Sequence, residues 1–565
     1  MNFKDMPYKR PDFDAQYTRF KELLRQMEEA KGEEAFFDAF LTLDKETGSL
    51  DTQATLVDIR YTINTKDPFY SAENDVMDEN LPRFQEIPAE IARVILSSPY
   101  KNAFTQRFGH HMLEKMKVQM TTFTPAIVED LVEESKLTSK YQKLIASAEI
   151  DFEGEKRNLS GMTPFMQSTD RDMRRRAYTA HWNWLAEHSK ELDELYDKLV
   201  RVRHRIGQKL GHDSFIPVAY ARMGRTDWSM ENARSYRKQI VESVVPLAQK
   251  LYKRQAERIG IADMKAYDLP LEYLSGNPLP QGDEEYLVGK ATEMYKALSP
   301  ETDAFFSVMT GQGLMDLSTK PGKAGGGYMT FIHDYKVPFI FSNFNGTAGD
   351  VDVLTHEAGH AFQGYLQRDV TPSMLKDYTM EVAEIHSMSM EFFAHPWMEG
   401  FFGPDTEKYF DSHVASAIKF LPYGASVDAF QEWVYLNPEA TPAERNRKYR
   451  EIEKVFLPHL NYTGFPYLEN GARWQKQSHI YSMPFYYLDY TLAQVCAFQY
   501  FIWDMKDHDA AWKSYLNACR RAGRMPFTEL LHECGLDNPF RPGTIAKITP
   551  ELEKFMDGLD QAKIH

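Results

Sequence analysis

Apolar residues recur along most of the chain at intervals of three and four, the spacing that lines one face of an α-helix. Over 14–32, Phe20, Leu23, Leu24 and Met27 make such a face. The same pattern predicts helices near 33–47, 50–65, 67–85, 87–98 and 100–116. A further one lies within 121–148, where Ile127, Leu131, Leu137, Tyr141 and Leu144 keep the spacing. No fixed repeat length emerges, so a solenoid is not indicated. Residues 149–159 change character and read as a short strand and turn, which places a boundary between an N-terminal helical region, 1–160, and the remainder, 161–565. Long helices follow over 170–210 and 229–260, then a helix pair over 280–311. Pro338 to Phe344, aromatic and β-branched over a short span, is the clearest strand. The pattern predicts a mainly α protein with a small β-sheet.

Composition narrows the classes. A chain of 565 residues with 43% hydrophobic and 13% aromatic residues can bury a sizeable core. A formal net charge of −16 and a pI near 5.6 argue against a nucleic-acid partner, which would demand a basic surface. The three cysteines, Cys496, Cys519 and Cys534, form no C-x-x-C pair and suggest reduced thiols. No apolar signal-peptide core follows Met1, and no run approaches the roughly 20 apolar residues of a membrane span. A cytoplasmic protein without a membrane partner is expected. The run Arg174-Arg175-Arg176 reads as a solvated helix face. The glycine-rich stretch from Lys320 to Tyr328 lacks the G-K-[ST] of a phosphate loop, and reads as a flexible loop or one approaching a substrate closely.

The chemistry concentrates in His356-Glu357-Ala358-Gly359-His360, an H-E-x-x-H string. On a helix, His356 and His360 share a face and present two imidazoles to one metal ion, while Glu357 can reach a water held there. With 17 histidines and 82 acidic residues in 565 positions, chance supplies about 0.07 such strings. Catalytic zinc usually takes a third protein ligand. Leu366 excludes a third histidine six residues on. A following helical stretch instead aligns Glu381, Glu384 and Glu391 on one face, so one could ligate and others could orient the histidines. Before the motif, the 338–344 strand is either an edge strand, able to pair with an extended substrate backbone, or an internal strand. Asn345-Gly346 signals a turn, and Asp350 is a candidate helix cap.

These residues resemble the oligoendopeptidase F and thimet oligopeptidase family, most closely its bacterial oligoendopeptidase F branch. The resemblance rests on the H-E-x-x-H string, on Glu384 followed by Ser387 and Glu391, and on His479 with Tyr486 to Tyr490. It spans at least residues 320–490. It implies a two-lobed helical zincin with a deep substrate channel, one Zn²⁺ per chain held by His356, His360 and Glu384, and Glu357 as general base. It also implies that His479, Tyr487 and Tyr490 contact substrate near the metal, with Tyr486 competing with Tyr487 for its place. The expected activity is hydrolysis of internal bonds in short peptides. A helical zincin carboxypeptidase and a non-catalytic peptide binder are the alternatives, and the oligomeric state is not legible.

Overall fold

A computed structural model describes residues 1–320 and 322–564. Helices dominate, as the apolar spacing predicts, and the sheets are small. The first helix, Phe13–Glu28, is capped by Asp12, whose carboxylate accepts from Ala15 N at 3.0 Å, and it buries Phe20, Leu23, Leu24 and Met27.

Several element boundaries differ from expectation: the helix expected over 170–210 is two, Arg171–Glu187 and Ser189–Lys209, and three further differences have a local reason. The helices expected over 33–47 and 50–65 are one, Glu33–Ile63. Gly48 and Ser49 do not break it because tertiary contacts favour its continuation. Ser49 Oγ donates to Asp334 Oδ1 at 2.8 Å, and Asp334 N donates to Thr52 Oγ1 at 2.9 Å, docking the helix on a turn of the sheet. The helix expected over 100–116 is two, divided at Gly109, whose φ of 91° helical residues do not adopt. Within 229–260, a π-helical turn, Ile240–Val244, separates Met230–Gln239 from Val245–Arg258 just before Pro246, which has no N–H to give the preceding turn. The basic run is also only partly a solvated face. Arg175 and Arg176 are exposed, but Arg174 is 1% exposed and donates to the buried Asp268 at 3.1 Å.

Two hydrophobic cores form. The smaller gathers residues from Phe13 to Met116, with Leu375. The larger runs from Ile127 to Met556 and recruits Phe3, Met6, Leu56 and Ile59 from the N-terminal part. The predicted strand and turn near 150 is a hairpin, β1 (Ile150–Phe152) and β2 (Glu155–Arg157), which adds Ile150 and Phe152 to the larger core.

The second sheet positions the motif. Its strands β3 (Met315–Ser318), β4 (Tyr328–Ile332) and β5 (Val337–Phe344) lie in the order β3-β5-β4. The strand read from 338–344 is therefore the internal one, parallel to β3 and antiparallel to β4. Seven of its eight residues are buried, as two covered faces require. The two edges belong to β3 and β4. The glycine-rich segment before β4 is fastened rather than flexible. Thr65 N donates to Gly322 O at 2.7 Å, Ala324 N to Thr62 O at 2.8 Å, and Asn343 Nδ2 to both Ala324 O and Gly326 O at 2.8 Å. Pro321 lies outside the described residues.

Candidate metal centre

The H-E-x-x-H string lies on the helix Gly349–Leu366, directly after β5. Asp350 is not its cap. It sits inside the first turn, where its carboxylate accepts from Asn345 N at 2.9 Å and Gly346 N at 2.7 Å and closes the turn joining strand to helix. The three candidate glutamates lie on the next helix, Met380–Phe393.

The two helices cross at Gly359. A Cβ there would lie 2.5 Å from His386 O and 2.7 Å from Ser387 Cα, so only glycine permits this approach. The crossing brings Glu384 Oε2 to 3.3 Å from His356 Nε2 and 3.4 Å from His360 Nε2. The ligand atoms of His356, His360 and Glu384 all fall within 4.8 Å of one another, a spacing one metal ion could bridge. Alanine in a helix ordinarily exceeds glycine by about 1 kcal/mol. Gly359→Ala is expected to reverse that sign, lowering both melting temperature and bound metal by forcing the helices apart. Calorimetry and metal analysis would show it, and a stabilised variant with full metal would exclude the tight crossing.

Glu381 and Glu391 do not join the cluster. Glu381 is fully buried and accepts from Trp228 Nε1 at 2.9 Å. Glu391 Oε1 lies 2.7 Å from His356 Nδ1, and its Oε2 lies 2.9 Å from His413 Nε2. A carboxylate only accepts, so His356 carries its proton on Nδ1 and turns the Nε2 lone pair toward Glu384 and His360. His395 extends the chain through a 2.9 Å hydrogen bond to His413 Nδ1. His413 and His395 carry no sequence signal, being lone histidines on elements far from the motif. The donor set suits zinc: two imidazoles, one of fixed tautomer, and one carboxylate.

Glu357 sits beside the cluster, 8% exposed, and burial raises its carboxyl above the usual range. Gly327 of the fastened loop comes close to it, since a Cβ there would stand 3.8 Å from Glu357 Oε1. This carboxylate is near the ligands yet outside the ligand cluster.

The aromatic segment also reaches the cluster. His479 lies on a short helical turn, Ser478–Ser482, and the following helix is Tyr487–Asp504, starting three residues after Pro484. Between them Phe485 holds a φ of 69°, fixed by Gln431 Oε1 accepting its N–H at 3.0 Å and by Arg225 donating to its carbonyl at 2.8 Å. Such a conformation costs of order 1–3 kcal/mol and persists where surroundings enforce it. It sets the next residue, Tyr486, whose hydroxyl donates to Glu384 Oε1 at 3.0 Å. Ser387 Oγ donates to Glu384 Oε2 at 2.8 Å. The rings of Tyr486 and Tyr490 lie 4.7 Å apart, and His479 packs 5.0 Å from Tyr487 and 5.8 Å from Tyr490. Burial, then the charge of Glu384, raises the Tyr490 phenol above its ordinary value, so it stays protonated.

The model of the peptidase M3 N-terminal domain matches residues 3–123, and that of peptidase family M3 matches residues 164–548. The chain belongs to peptidase family M3. A candidate oligoendopeptidase F of known structure is 47% identical, with a TM-score of 0.95 over 99% of each chain. PZ peptidase A, solved with an inhibitor, is 45% identical, with a TM-score of 0.94 and the same coverage. An oligoendopeptidase F homolog of Lactococcus lactis subsp. lactis (strain IL1403) is 25% identical over 228 residues. The match spans 40% of this chain and 36% of that relative's length. The M3 model includes every residue of the ligand cluster as well as the aromatic segment.

Proposed function

We propose that the chain is a zinc-dependent endopeptidase that hydrolyses internal bonds of short peptides. The observation that carries this reading is the convergence of His356 Nε2 and His360 Nε2 on Glu384 Oε2, with the buried acid Glu357 beside them. His356, His360 and Glu384 would hold one Zn²⁺ per chain. Bound there, zinc would acidify a water and polarise the scissile carbonyl. Glu357, its carboxyl raised toward working pH, takes a proton from the attacking water and delivers it to the leaving amine nitrogen. Glu391 keeps His356 in the ligating tautomer. Tyr490, assisted by Tyr487 and His479, donates to the oxyanion, and Tyr486 steadies the Glu384 carboxylate. The outer edge of β4, next to the fastened glycine loop, offers main-chain groups to an extended peptide. Residues 1–160 would bound the substrate channel and 161–565 would form the catalytic region. A cytoplasmic location fits three buried free cysteines and the absence, among the described residues, of a helix able to cross a membrane.

Metal analysis of the purified protein, paired with an internally quenched peptide blocked at its C-terminus, tests the reading. One zinc per chain, cleavage within the peptide, and loss of cleavage with chelator are expected. A blocked peptide left intact while its free form loses C-terminal residues would establish a carboxypeptidase. Binding without any cleavage would establish a non-catalytic binder.

The two tyrosines at Glu384 and the oxyanion separate by experiment. Tyr490→Phe removes only a hydroxyl and is expected to lower kcat on the order of a hundredfold with KM little changed and zinc retained. Tyr486→Phe, which strips a hydrogen bond from Glu384, is expected to weaken zinc about tenfold or more. Steady-state kinetics and chelator competition would show the split. If Tyr487→Phe alone collapses kcat, the oxyanion donor is the neighbouring residue instead.

A further inference from the structure

A second cavity, of about 460 Å³, lies apart from the ligand cluster, within the size range of small-ligand pockets. Its walls include Tyr178, Trp182 and Tyr462, and its basic side chains are Lys476, Arg473 and His181. No carboxylate lines it, in a chain of net charge −16. Arg473 is partly neutralised, donating to Glu453 at 3.2 Å. The buried His181 Nδ1 has no hydrogen-bond partner. Lys476 makes no ion pair or hydrogen bond among the described residues, and its ammonium rests 5.7 Å over the Trp182 ring. Lys476 is exposed at the cavity, so its ammonium is free to meet an incoming carboxylate.

The cavity is joined to the reaction site by its wall. Arg473 stacks 4.7 Å from Tyr423, the Tyr423 hydroxyl donates to Gln477 Oε1 at 2.8 Å, and Gln477 Nε2 meets His479 Nδ1 at 2.8 Å.

We propose that this cavity is a carboxylate-binding subsite that receives the C-terminal end of a peptide substrate, with Lys476 as the charge that recognises it. The ligand class rests on the peptidase reading above. The aromatic wall takes an apolar terminal side chain. The contacts through Tyr423 and Gln477 tie this cavity to His479, which the peptidase reading places at the substrate.

The test uses the full-length, zinc-loaded protein carrying Glu357→Gln, and three fluorescein-labelled peptides of one sequence lacking acidic residues. The first ends in a free carboxylate and the second in a carboxamide. The third is a carboxamide with aspartate as its penultimate residue. Fluorescence anisotropy is expected to show the free acid binding about tenfold tighter than the amide, the scale of one charge-assisted contact. Lys476→Gln should bring that ratio close to one, and Lys476→Arg should restore most of it. Tight binding of the third peptide would show that a side-chain carboxylate also satisfies the subsite. Equal binding of acid and amide by the parent, or an undiminished ratio in Lys476→Gln, overturns the proposal. Binding is read without turnover, so a wild-type protein that cuts no peptide would refute the peptidase reading while leaving this ratio to judge the subsite.

Discussion

Glu357→Gln is expected to keep one zinc per chain and near-normal peptide affinity while losing about 10²–10⁴ in kcat, the usual contribution of general acid–base catalysis. The substitution preserves shape and size. It removes a carboxylate that lies beside the ligand cluster without belonging to it. The ligand geometry depends on other groups: Glu391 on His356, and Ser387 and Tyr486 on Glu384. Binding and metal content should therefore be insensitive to Glu357, and the loss should fall on the step that moves a proton. Metal analysis, anisotropy with an uncleaved peptide and steady-state kinetics separate the three quantities. Turnover within a few fold of the parent would remove Glu357 from the chemistry. Loss of zinc with the activity would make its role structural.

The sequence exposed whatever is carried by local spacing. Two histidines four apart and a glutamate between them need only a helix to share a face, and amphipathic periods needed only counting. The third ligand was different. Glu381, Glu384 and Glu391 share a face on one helix, and spacing alone ranks none of them. What separates them is tertiary: Trp228 holds Glu381, Glu391 lies between His356 and His413, and only Glu384 reaches both Nε2 atoms. Nothing in the H-E-x-x-H string itself assigns Gly359 a role. In the fold it is the contact that lets the second helix approach. Strand order was equally hidden, because an internal and an edge strand of three share the same apolar run, and the pairing partners lie on both sides of it in sequence. The fusion of 33–63 into one helix depended on a turn nearly 300 residues away, at Asp334. The relay through His413 and the enforced φ of Phe485 likewise join segments that no short window contains.

Glu384→Ala is expected to abolish stoichiometric zinc and bring peptidase activity to background, the largest effect of any single change at this centre. Two imidazoles remain, one short of the three protein ligands that catalytic zinc ordinarily takes. The change also strands groups that now have partners. Tyr486 Oη and Ser387 Oγ each lose an acceptor, in a place where Glu384 is 3% exposed, and each loss costs on the order of 1–3 kcal/mol. A fall in melting temperature is therefore expected alongside the loss of metal, and alone it would not distinguish ligand from packing residue. Glu384→Gln makes that distinction. Its amide oxygen can still accept from Tyr486 and its volume is unchanged, so stability should largely return while the anionic donor does not. Zinc absent from both variants, with the glutamine form close to the parent in melting temperature, assigns the loss to the missing charge. Zinc retained at one per chain in Glu384→Ala would move the third ligand elsewhere. The nearest candidate is Glu391, which would then have to release His356 Nδ1 and His413 to reach the ion.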